Sequence, residues 1–386
     1  MPFAFGSAAN GAAVGGGGLV IPDVPEVSDV ICLTGCTKMR EVSPGGTVQI
    51  TGTAMGSVKY VVFRGEKKNI RVEPDVATET RVEATVPEGA VTGRVRVLSA
   101  TGSASDPSTQ TLSIGSQTFG RTGKLRITDA QTSPQKAYQY GSKRPTISFV
   151  VNGSTETVDL RVDIVNAGGD VVRSKFLNGV PSGSTQKVVW SGLVAKNKTA
   201  PNGAYHFVIR GNDGSNAQLS SRLKRQRKKA KSSRARSAQD PFGFRIYGYI
   251  FPLRGAHTYG DGIGAARSGH THQGQDVLAA CGRPLVAARA GVVYYNSYQA
   301  GGAGNYVVIN VKGAGGKSHV YMHMSSRSPL KVGTRVKTGQ RVGTVGTTGA
   351  SSACHLHFEI WSGPGWYQGG TFLDPTPSLK KWDRYS

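Results

Sequence analysis

The chain has 386 residues and a formal net charge of +24, from 47 lysines and arginines against 23 aspartates and glutamates. Such a length predicts about two to four domains, and no stretch approaches the roughly 18 consecutive apolar residues of a transmembrane helix. Glycine contributes 53 residues, roughly double its usual share of about 7%. The composition therefore disfavours helical bundles and coiled coils, and it argues against a transmembrane segment.

Residues 1–37 are predicted to form a flexible leader, because the beginning of the chain offers few residues for a core. A signal peptide would place a basic residue before an apolar run, whereas the first basic residue here is Lys38. The Leu-Thr-Gly-Cys run at 33–36 looks like a lipobox, but Asp23 and Glu26 lie where the apolar part of such a signal would have to be. The export route is thus left open.

Two β-sandwiches are predicted next. Apolar residues of period two, such as Val58, Tyr60 and Val62, run through residues 38–115. Pro-Gly-Gly at 44–46, Thr-Gly at 51–52 and Val-Pro-Glu-Gly-Ala at 86–90 resemble the IPT/TIG immunoglobulin-like family. Residues 124–213 repeat the alternation, and Trp-Ser-Gly at 190–192 with Pro-Asn-Gly-Ala-Tyr at 201–205 resembles the FlgD-type immunoglobulin-like fold. The resemblance implies that Trp190 and Tyr205 are core residues, and that both domains are spacers or adhesion modules.

Residues 214–239 carry nine basic residues and no acidic one, and they are predicted to be a disordered, self-repelling linker. Three interpretations are open: a solvated connection, attachment to an anionic polymer such as a bacterial cell wall that carries phosphates, or nucleic-acid binding. No aromatic side chain is interleaved with these charges. No specific nucleic-acid partner is therefore expected.

The histidines are concentrated near the C-terminus, where seven of the eight fall between 257 and 357. Three segments combine them with other groups: His-Gln-Gly-Gln-Asp at 272–276, Tyr-Met-His-Met at 321–324 and His-Leu-His-Phe-Glu at 355–359. Alternate residues of a strand share a face, so His355 and His357 should point together. A His/Asp pair with such histidines can supply the three protein ligands of catalytic zinc, whereas structural zinc usually takes four.

Together the three segments resemble the M23 family of zinc metallopeptidases, the lysostaphin and LytM type of peptidoglycan endopeptidase. The family pattern H-x-G-x-D falls on 272–276, G-N-x-V-x-I on 304–309, Y-x-H on 321–323 and H-L-H-F-E on 355–359. The resemblance implies an antiparallel β-sheet catalytic domain, here bounded at 240–386, that binds one Zn²⁺. The predicted fold is all-β, with two immunoglobulin-like sandwiches followed by this M23-like domain.

The resemblance assigns His272, Asp276 and His357 to the zinc ion. It assigns His323 and His355 to catalysis, as histidines that do not bind the metal, and no family ligand is missing. Zinc would polarise the scissile carbonyl and activate water, one of the two histidines would move protons, and the other would stabilise the oxyanion. Which histidine takes which role is left open.

Several other residues have weaker signals. Glu359 shares a strand face with His357 and either supports that ligand or forms a strand-end salt bridge. Tyr321 is either a donor to the oxyanion or a core residue, and Asn305 is either a substrate contact or a turn residue. The aromatic residues after the last motif either line a substrate groove or pack the domain: Trp361, Trp366 and Tyr367. The remaining histidines of this region are expected at the surface or rim: His257, His270 and His319.

The four cysteines allow two disulfides, a local one between Cys32 and Cys36 and a long-range one between Cys281 and Cys354, as in an exported protein. Four reduced thiols are the alternative. The sequence therefore leaves the redox state open.

The sequence as a whole predicts a secreted or envelope-associated zinc endopeptidase that hydrolyses peptide cross-links, with peptidoglycan and anionic cell-wall polymers as partners. Two alternatives remain. One is an M23-like regulator or wall-binding protein that does not cleave, and the other is a nucleic-acid-associated protein that acts through the basic run. The sequence does not specify the cleaved bond, the oligomeric state or whether the upstream domains cover the site.

Overall fold

The computed structural model describes residues 24–115, 124–195, 198–231, 240–267 and 269–386. Strands dominate these residues, which confirms the predicted all-β class. Within the same residues, no helix has both the length and the apolar character needed to cross a membrane. The chain divides into two compact units, with the boundary after Thr118.

Within residues 24–115, the first unit contains three small β-sheets. Its strands are β1 (Glu26–Cys32), β2 (Cys36–Lys38), β3 (Glu41–Val42), β4 (Thr47–Thr53), β5 (Val58–Phe63), β6 (Ile70–Val72), β7 (Val76–Thr78), β8 (Arg81–Thr85), β9 (Arg96–Ser99) and β10 (Ser113–Ile114), with one 3-10 turn at Met55–Ser57. The sheets have the strand orders β1-β4-β8-β7, β10-β3-β2 and β6-β5-β9. Alternate residues such as Val48, Ile50 and Val82 are fully buried, as period-two patterning predicts.

The predicted leader at 1–37 is wrong at its C-terminal end. β1 begins at Glu26 and pairs antiparallel with β4. The apolar run at 30–32 ends this strand and is almost wholly buried, which stabilises the fold by about 1.5–3 kcal/mol for a large side chain. A disulfide joins Cys32 to Cys36, one of the arrangements that the sequence allowed. Residues 1–23, the rest of the predicted leader, lie outside the described residues.

The second unit begins with two sheets that share one hydrophobic core. Its first elements are β11 (Arg126–Ser133), β12 (Lys136–Tyr138), β13 (Thr146–Asn152), β14 (Thr157–Asn166), β15 (Val171–Pro181), β16 (Thr185–Val189), β17 (Leu193–Ala195), β18 (Lys198–Thr199), β19 (Gly203–Gly211), β20 (Gln218–Leu219), α1 (Ser221–Lys231) and β21 (Gly243–Tyr247). The strand orders are β16-β13-β11-β20 and β12-β21-β19-β14-β15. Trp190 and Tyr205 are buried between these sheets, and the Tyr205 hydroxyl donates to the carbonyl of Pro201 at 2.8 Å. The immunoglobulin-like assignment of both sandwiches stays a prediction.

The predicted linker at 214–239 and the domain boundary at 240 are also corrected. β20 pairs with β11, and the basic run forms α1, which is anchored by the buried Leu223. Lysine and arginine are good helix formers, so the run needed only this anchor to become helical. β21 joins the sheet of the middle sandwich, where Phe244 and Ile246 enter its core. Residues 232–239 lie outside the described residues.

The remainder of the second unit is built on an antiparallel sheet. Its elements are β22 (Thr258–Tyr259), β23 (Ala266–Arg267), β24 (His270–Thr271), β25 (Gln275–Leu278), β26 (Pro284–Val286), β27 (Gly291–Gln299), β28 (Gly304–Val311), β29 (Ser318–Met324), β30 (Arg335–Val336), β31 (Arg341–Thr344), β32 (His355–Trp361), β33 (Phe372–Leu373) and α2 (Thr376–Asp383). The sheet has the order β22-β25-β32-β29-β28-β27-β30, and β33 pairs with β32. A second disulfide joins Cys281 to Cys354, the residue before β32.

The sheet that carries the histidines is held tightly against the middle sandwich. The Thr338 hydroxyl donates to the carbonyl of Gln139 at 2.6 Å. The rings of Tyr247 and Tyr385 stack with their centroids 3.9 Å apart. β21 also connects the middle sandwich directly to the sheet that carries the histidines. Together they form one compact unit.

Candidate active site

The central strands of the large sheet carry most of the candidate residues. β25 lies beside β32, and their register sets Asp276 directly opposite His357. β29 lies on the other side of β32 and sets Met322 opposite His357, so His323 follows at the end of β29. His272 comes shortly before β25. Sheet register therefore gathers residues that are far apart in the sequence.

Three atoms of these side chains face one another. His272 Nε2 lies 2.8 Å from His357 Nδ1, and Asp276 Oδ1 lies 3.0 Å from each of these nitrogens. Ligand atoms around a tetrahedral zinc ion, with bonds of about 2.0–2.1 Å, are about 3.3 Å apart. The three atoms, which we call the ligand triangle, lie slightly closer together than this, so a small expansion would admit the ion. Within the described part of the chain, this is the one group of three or more such side chains close enough to hold a metal.

The outer nitrogens of both imidazoles are already bonded. His272 Nδ1–H donates to the carbonyl of Gly262 at 2.7 Å, and His357 Nε2–H donates to Glu359 Oε1 at 3.1 Å. Each bond favours the tautomer whose inner nitrogen keeps its lone pair. Two imidazole nitrogens with one carboxylate oxygen are a donor set of zinc sites. The residues therefore fit the ion that the sequence resemblance implies.

Two charged residues form hydrogen bonds with His357 and Asp276 on the side away from the point where the three atoms converge. Glu359 is 2% exposed, and its second oxygen accepts the indole N–H of Trp361 at 2.6 Å. The structure thus places Glu359 in hydrogen-bond contact with His357, as the first of the two options requires. Arg267 Nη2 donates to Asp276 Oδ2 at 3.2 Å. Sequence reasoning missed Arg267, because no local pattern connects it with position 276.

A proton can occupy the point between the three atoms. Burial lowers the pKa of His357, but hydrogen bonds with Asp276 and Glu359 outweigh burial and raise this pKa to about 9. Burial also opposes ionisation of Asp276, yet the bonds from His272 and His357 hold its pKa well below the usual range. A metal cation would bind in place of this proton, since metal ligands must present free lone pairs.

His323 lies beside the triangle in a strained backbone conformation. Its φ is 57°, at a bulge where β29 has an extra residue relative to β28. Its Nδ1–H donates to the carbonyl of Thr348 at 2.8 Å, which leaves Nε2 for the groove that His323 lines. Burial lowers the pKa of His323 to about 4, with help from His355 and His357 and against the effect of the Thr348 bond. The ring is therefore neutral at pH 7.

His355 opens β32 next to His323, with the two ring centroids 4.7 Å apart. Its Nδ1–H donates to the carbonyl of Ala353 at 2.8 Å, and its Nε2 lies 3.6 Å from Asp276 Oδ1. All four histidines therefore have one ring nitrogen bonded to an oxygen outside the site and the other available inside it.

Two glycines permit the close approaches on which the site depends. A Cβ at Gly274 would lie 2.8 Å from His357 Nε2 and 2.5 Å from the carbonyl oxygen of Phe358. The glycine of the H-x-G-x-D pattern thus leaves room for a ligand ring. Gly349 has φ +77°, and a Cβ there would collide with the backbone of Gly304. This contact fixes the turn that carries Thr348, the partner of His323.

Tyr321 and Asn305 lie away from the groove. Tyr321 is fully buried, and its hydroxyl accepts the N–H of Ala288 at 2.8 Å. Tyr321 therefore packs in the core, the second of the two options that the sequence left open. Asn305 Nδ2 donates to the carbonyl of Met324 at 3.2 Å, and Asn305 does not line the groove. Asn305 lies in β28 rather than in a turn, and its side chain supports the backbone beside His323.

The ligand triangle opens into a groove of about 1200 Å³. Trp366 and Tyr367 line it, whereas Trp361 is buried behind Glu359. His270 is at the rim as predicted. His319 is 2% exposed and lies among aromatic rings, so its prediction as a surface or rim residue is wrong.

Comparisons with known proteins identify this part of the chain. Residues 270–375 match the model of Peptidase family M23. Peptidoglycan DD-endopeptidase ShyC of Vibrio cholerae is 37% identical over 124 residues, which are 32% of this chain and 26% of ShyC. Glycyl-glycine endopeptidase ALE-1 of Staphylococcus capitis is 36% identical over 113 residues, which are 29% of this chain and 30% of ALE-1.

Among solved structures, the catalytic domain of the antimicrobial peptidase lysostaphin from Staphylococcus simulans is 32% identical. The match covers 32% of this chain and 92% of that one, with a TM-score of 0.29. The chain spans less than a third of the length of the curated relatives it matches. Residues 270–375, which carry the ligand triangle, therefore correspond to a Peptidase M23 domain.

Proposed function

We propose that the chain is a zinc-dependent endopeptidase that hydrolyses peptide cross-links of bacterial peptidoglycan. The observation that carries the proposal is the convergence of His272, Asp276 and His357 on one point of an open groove, with two further histidines beside it. The endopeptidases among the relatives support this substrate class.

His272 Nε2, Asp276 Oδ1 and His357 Nδ1 would hold one zinc ion. When bound, zinc supplies Lewis acidity that activates water and polarises a carbonyl group. The Glu359 carboxylate and the Gly262 carbonyl keep both imidazoles in the orientation that presents their inner nitrogens. Because the ligands are held in place beforehand, ion binding costs little side-chain ordering.

His323 and His355 would move protons and stabilise charge. Each has Nδ1–H bonded to a backbone carbonyl and Nε2 left for the substrate. A neutral imidazole can accept a proton at Nε2, and an imidazolium can return it to the leaving amine or donate to an oxyanion. Two such rings side by side can divide these tasks.

We place the protein in the cell envelope or outside the cell, where peptidoglycan lies. Its two disulfides suit an oxidising compartment. Anionic wall polymers are the second proposed partner, because α1 carries seven basic and no acidic side chains and buries only Leu223. Such a charge cluster attracts polyanions, more strongly at low salt. No specific nucleic-acid partner is proposed.

The test is mass spectrometry of fragments released from purified peptidoglycan by the zinc-loaded full chain. The variants are His272→Ala and, as the matched control, His257→Gln, which removes an imidazole outside the groove. The wild type and the control should release the same peptides, whose new termini identify the bond, while His272→Ala should release none. Equal release by His272→Ala would overturn the proposal. A wild type that holds zinc and releases nothing would establish the alternative, a regulator that does not cleave.

A further inference from the structure

The groove has different chemistry on the two sides of the ligand triangle. In the sheet order, β25 lies on one side of β32 and β29, and β28 with β27 lies on the other. On the β25 side the groove is lined by charged or titratable residues, among them Asp261, Arg267 and His270. On the β27 side, the lining residues between 295 and 306 are all uncharged.

Aromatic rings dominate the uncharged side. We call Tyr295, Tyr306, Trp366 and Tyr367 the aromatic shelf. The rings of Tyr295 and Tyr306 stack with centroids 5.9 Å apart and planes 17° apart, and Trp366 lies 5.7 Å from both. Tyr367 lies 4.7 Å from Trp366. The four rings therefore form one connected surface rather than isolated side chains.

The shelf exposes apolar surface to the groove. Tyr295 is 44% exposed and Tyr367 is 68% exposed, while Tyr306 is only 8% exposed and fixes the shelf from below. Contiguous exposed aromatic surface costs free energy in water, and in a groove it is typical of a ligand contact. Polar groups accompany the rings, since Ser297 and Gln299 line the same part of the groove.

We propose that the aromatic shelf binds the glycan strand of peptidoglycan, while the cross-linking peptide extends across the ligand triangle toward Arg267. This inference rests on the proposed function. A pyranose ring has a face of C–H groups, whose partial positive charge is attracted by the negative face of an aromatic ring. Its hydroxyl and acetamido groups can form hydrogen bonds with side chains such as Ser297 and Gln299.

The charge distribution favours a glycan over a peptide at the shelf. Stem peptides carry carboxylates, and the groove lining offers them no cationic side chain between 295 and 306. Arg267 lines the groove on the opposite side, where an acidic peptide finds a cationic partner. A neutral ligand with flat apolar faces and many hydroxyl groups fits the shelf, and sugars have this chemistry.

The experiment is calorimetric titration of the zinc-loaded full chain with a peptide-free N-acetylglucosamine hexamer. Trp366→Ala and Tyr295→Ala should each weaken binding about 5–10-fold, the effect of losing one ring contact. The matched control is Tyr294→Ala, because Tyr294 is 38% exposed on the same strand but does not line the groove. If Trp366→Ala does not fold, Tyr367→Ala replaces it, since Tyr367 is the more exposed ring.

A His272→Ala variant separates this inference from the proposed function. It should bind the hexamer as the wild type does, so glycan binding can succeed even if hydrolysis fails. If the chain hydrolyses peptidoglycan, Trp366→Ala should raise KM for a cross-linked disaccharide-peptide and leave KM for the sugar-free cross-linked peptide unchanged. Absence of hexamer binding by the wild type, equal loss in Tyr294→Ala, or the same KM increase for the sugar-free peptide would overturn the inference.

Discussion

Asp163 and Asp276 are both aspartates within β-sheets of the second unit, and their surroundings differ. Asp163 lies on β14 and is completely buried. Arg161 donates to its Oδ2 at 2.7 and 3.0 Å, and the Ser174 hydroxyl donates to its Oδ1 at 2.7 Å. Each carboxylate oxygen therefore has its own donor, and Arg210 Nε lies 3.7 Å from Oδ2 as a second cation.

At Asp276 the donors and acceptors do not balance. Its Oδ1 faces His272 and His357, whose inner nitrogens are themselves acceptors in the tautomers that the outer hydrogen bonds favour. Only a proton or a cation can satisfy three acceptors that converge on one point. Burial of a charged residue therefore does not distinguish the functional aspartate from the structural one. The distinguishing feature is that Asp276 lies beside a groove among more hydrogen-bond acceptors than donors.

The largest expected effect is that of Asp276→Ala. Loss of one of three ligands should reduce peptidoglycan hydrolysis by about 10³-fold or more and should remove zinc from the purified protein. Turbidity loss of a peptidoglycan suspension and elemental analysis measure the two effects. Retained zinc and near-normal hydrolysis would show that the acceptor surplus is not a metal site.

Asp163→Ala should have the opposite profile. It leaves Arg161 charged and buried without its partner, which should lower the free energy of unfolding by about 3–5 kcal/mol, while the folded fraction keeps its zinc. Urea unfolding followed by fluorescence measures the loss. The double variant Arg161→Met/Asp163→Leu should recover most of it. A single-variant loss below about 1 kcal/mol would mean that Arg161 and Asp163 do not depend on each other for stability.

Glu359→Gln tests the support behind the triangle. The two N–H groups, of His357 and Trp361, donate to different oxygens of Glu359, and in glutamine one of these positions becomes an NH2 group that cannot accept. Zinc affinity should fall about 10–100-fold, as measured by competition with a chelator. Glu88→Gln, on an exposed turn, is the matched control and should leave the affinity unchanged. An unchanged affinity in Glu359→Gln would contradict the supporting role.

His319 sharpens the comparison, because it is a buried histidine without converging acceptors. Its Nδ1 has no hydrogen-bond partner, and burial lowers its pKa to about 3, with further lowering by Arg289 and Lys317. The unfolded chain therefore binds a proton below about pH 6.5 that the folded chain excludes. Stability should fall by about 1.4 kcal/mol per pH unit as the pH drops from about 6.5 toward 3.

The matched variant is His319→Phe, which keeps a ring and removes the titration. Between pH 6.5 and pH 5 the wild type should lose about 2 kcal/mol more than the variant in urea unfolding. Parallel curves for the two proteins would show that His319 does not contribute to acid sensitivity.

The candidate site was more accessible from the sequence than the domain boundaries. His272, Asp276 and His357 occur in short patterns whose residue types specify metal chemistry locally, and strand alternation predicted that His355 and His357 point together. The contacts of Tyr321 and Arg267 depend on the order of the strands in the sheet. This order is not encoded in any short stretch of the sequence.

The predicted domain boundaries were wrong for a similar reason. The apolar run at 30–32 and the pair Phe244 and Ile246 are short, so each became a strand only because a distant strand was available to pair with it. In α1 the charge run indicated self-repulsion, but one buried leucine, Leu223, held the helix against the sandwich. Local composition cannot weigh these tertiary contacts.

The shared strand β21 has a practical consequence for protein engineering. A fragment that starts at residue 240 would carry Phe244 and Ile246 without the sheet that buries them, and it would present their apolar side chains and an unpaired strand edge to other molecules. A fragment that starts near residue 124 keeps the sandwich and the groove together. Fusions or truncations that aim at a portable module should therefore be cut between the two compact units, and the module should be treated as about two and a half times the size that its family match suggests.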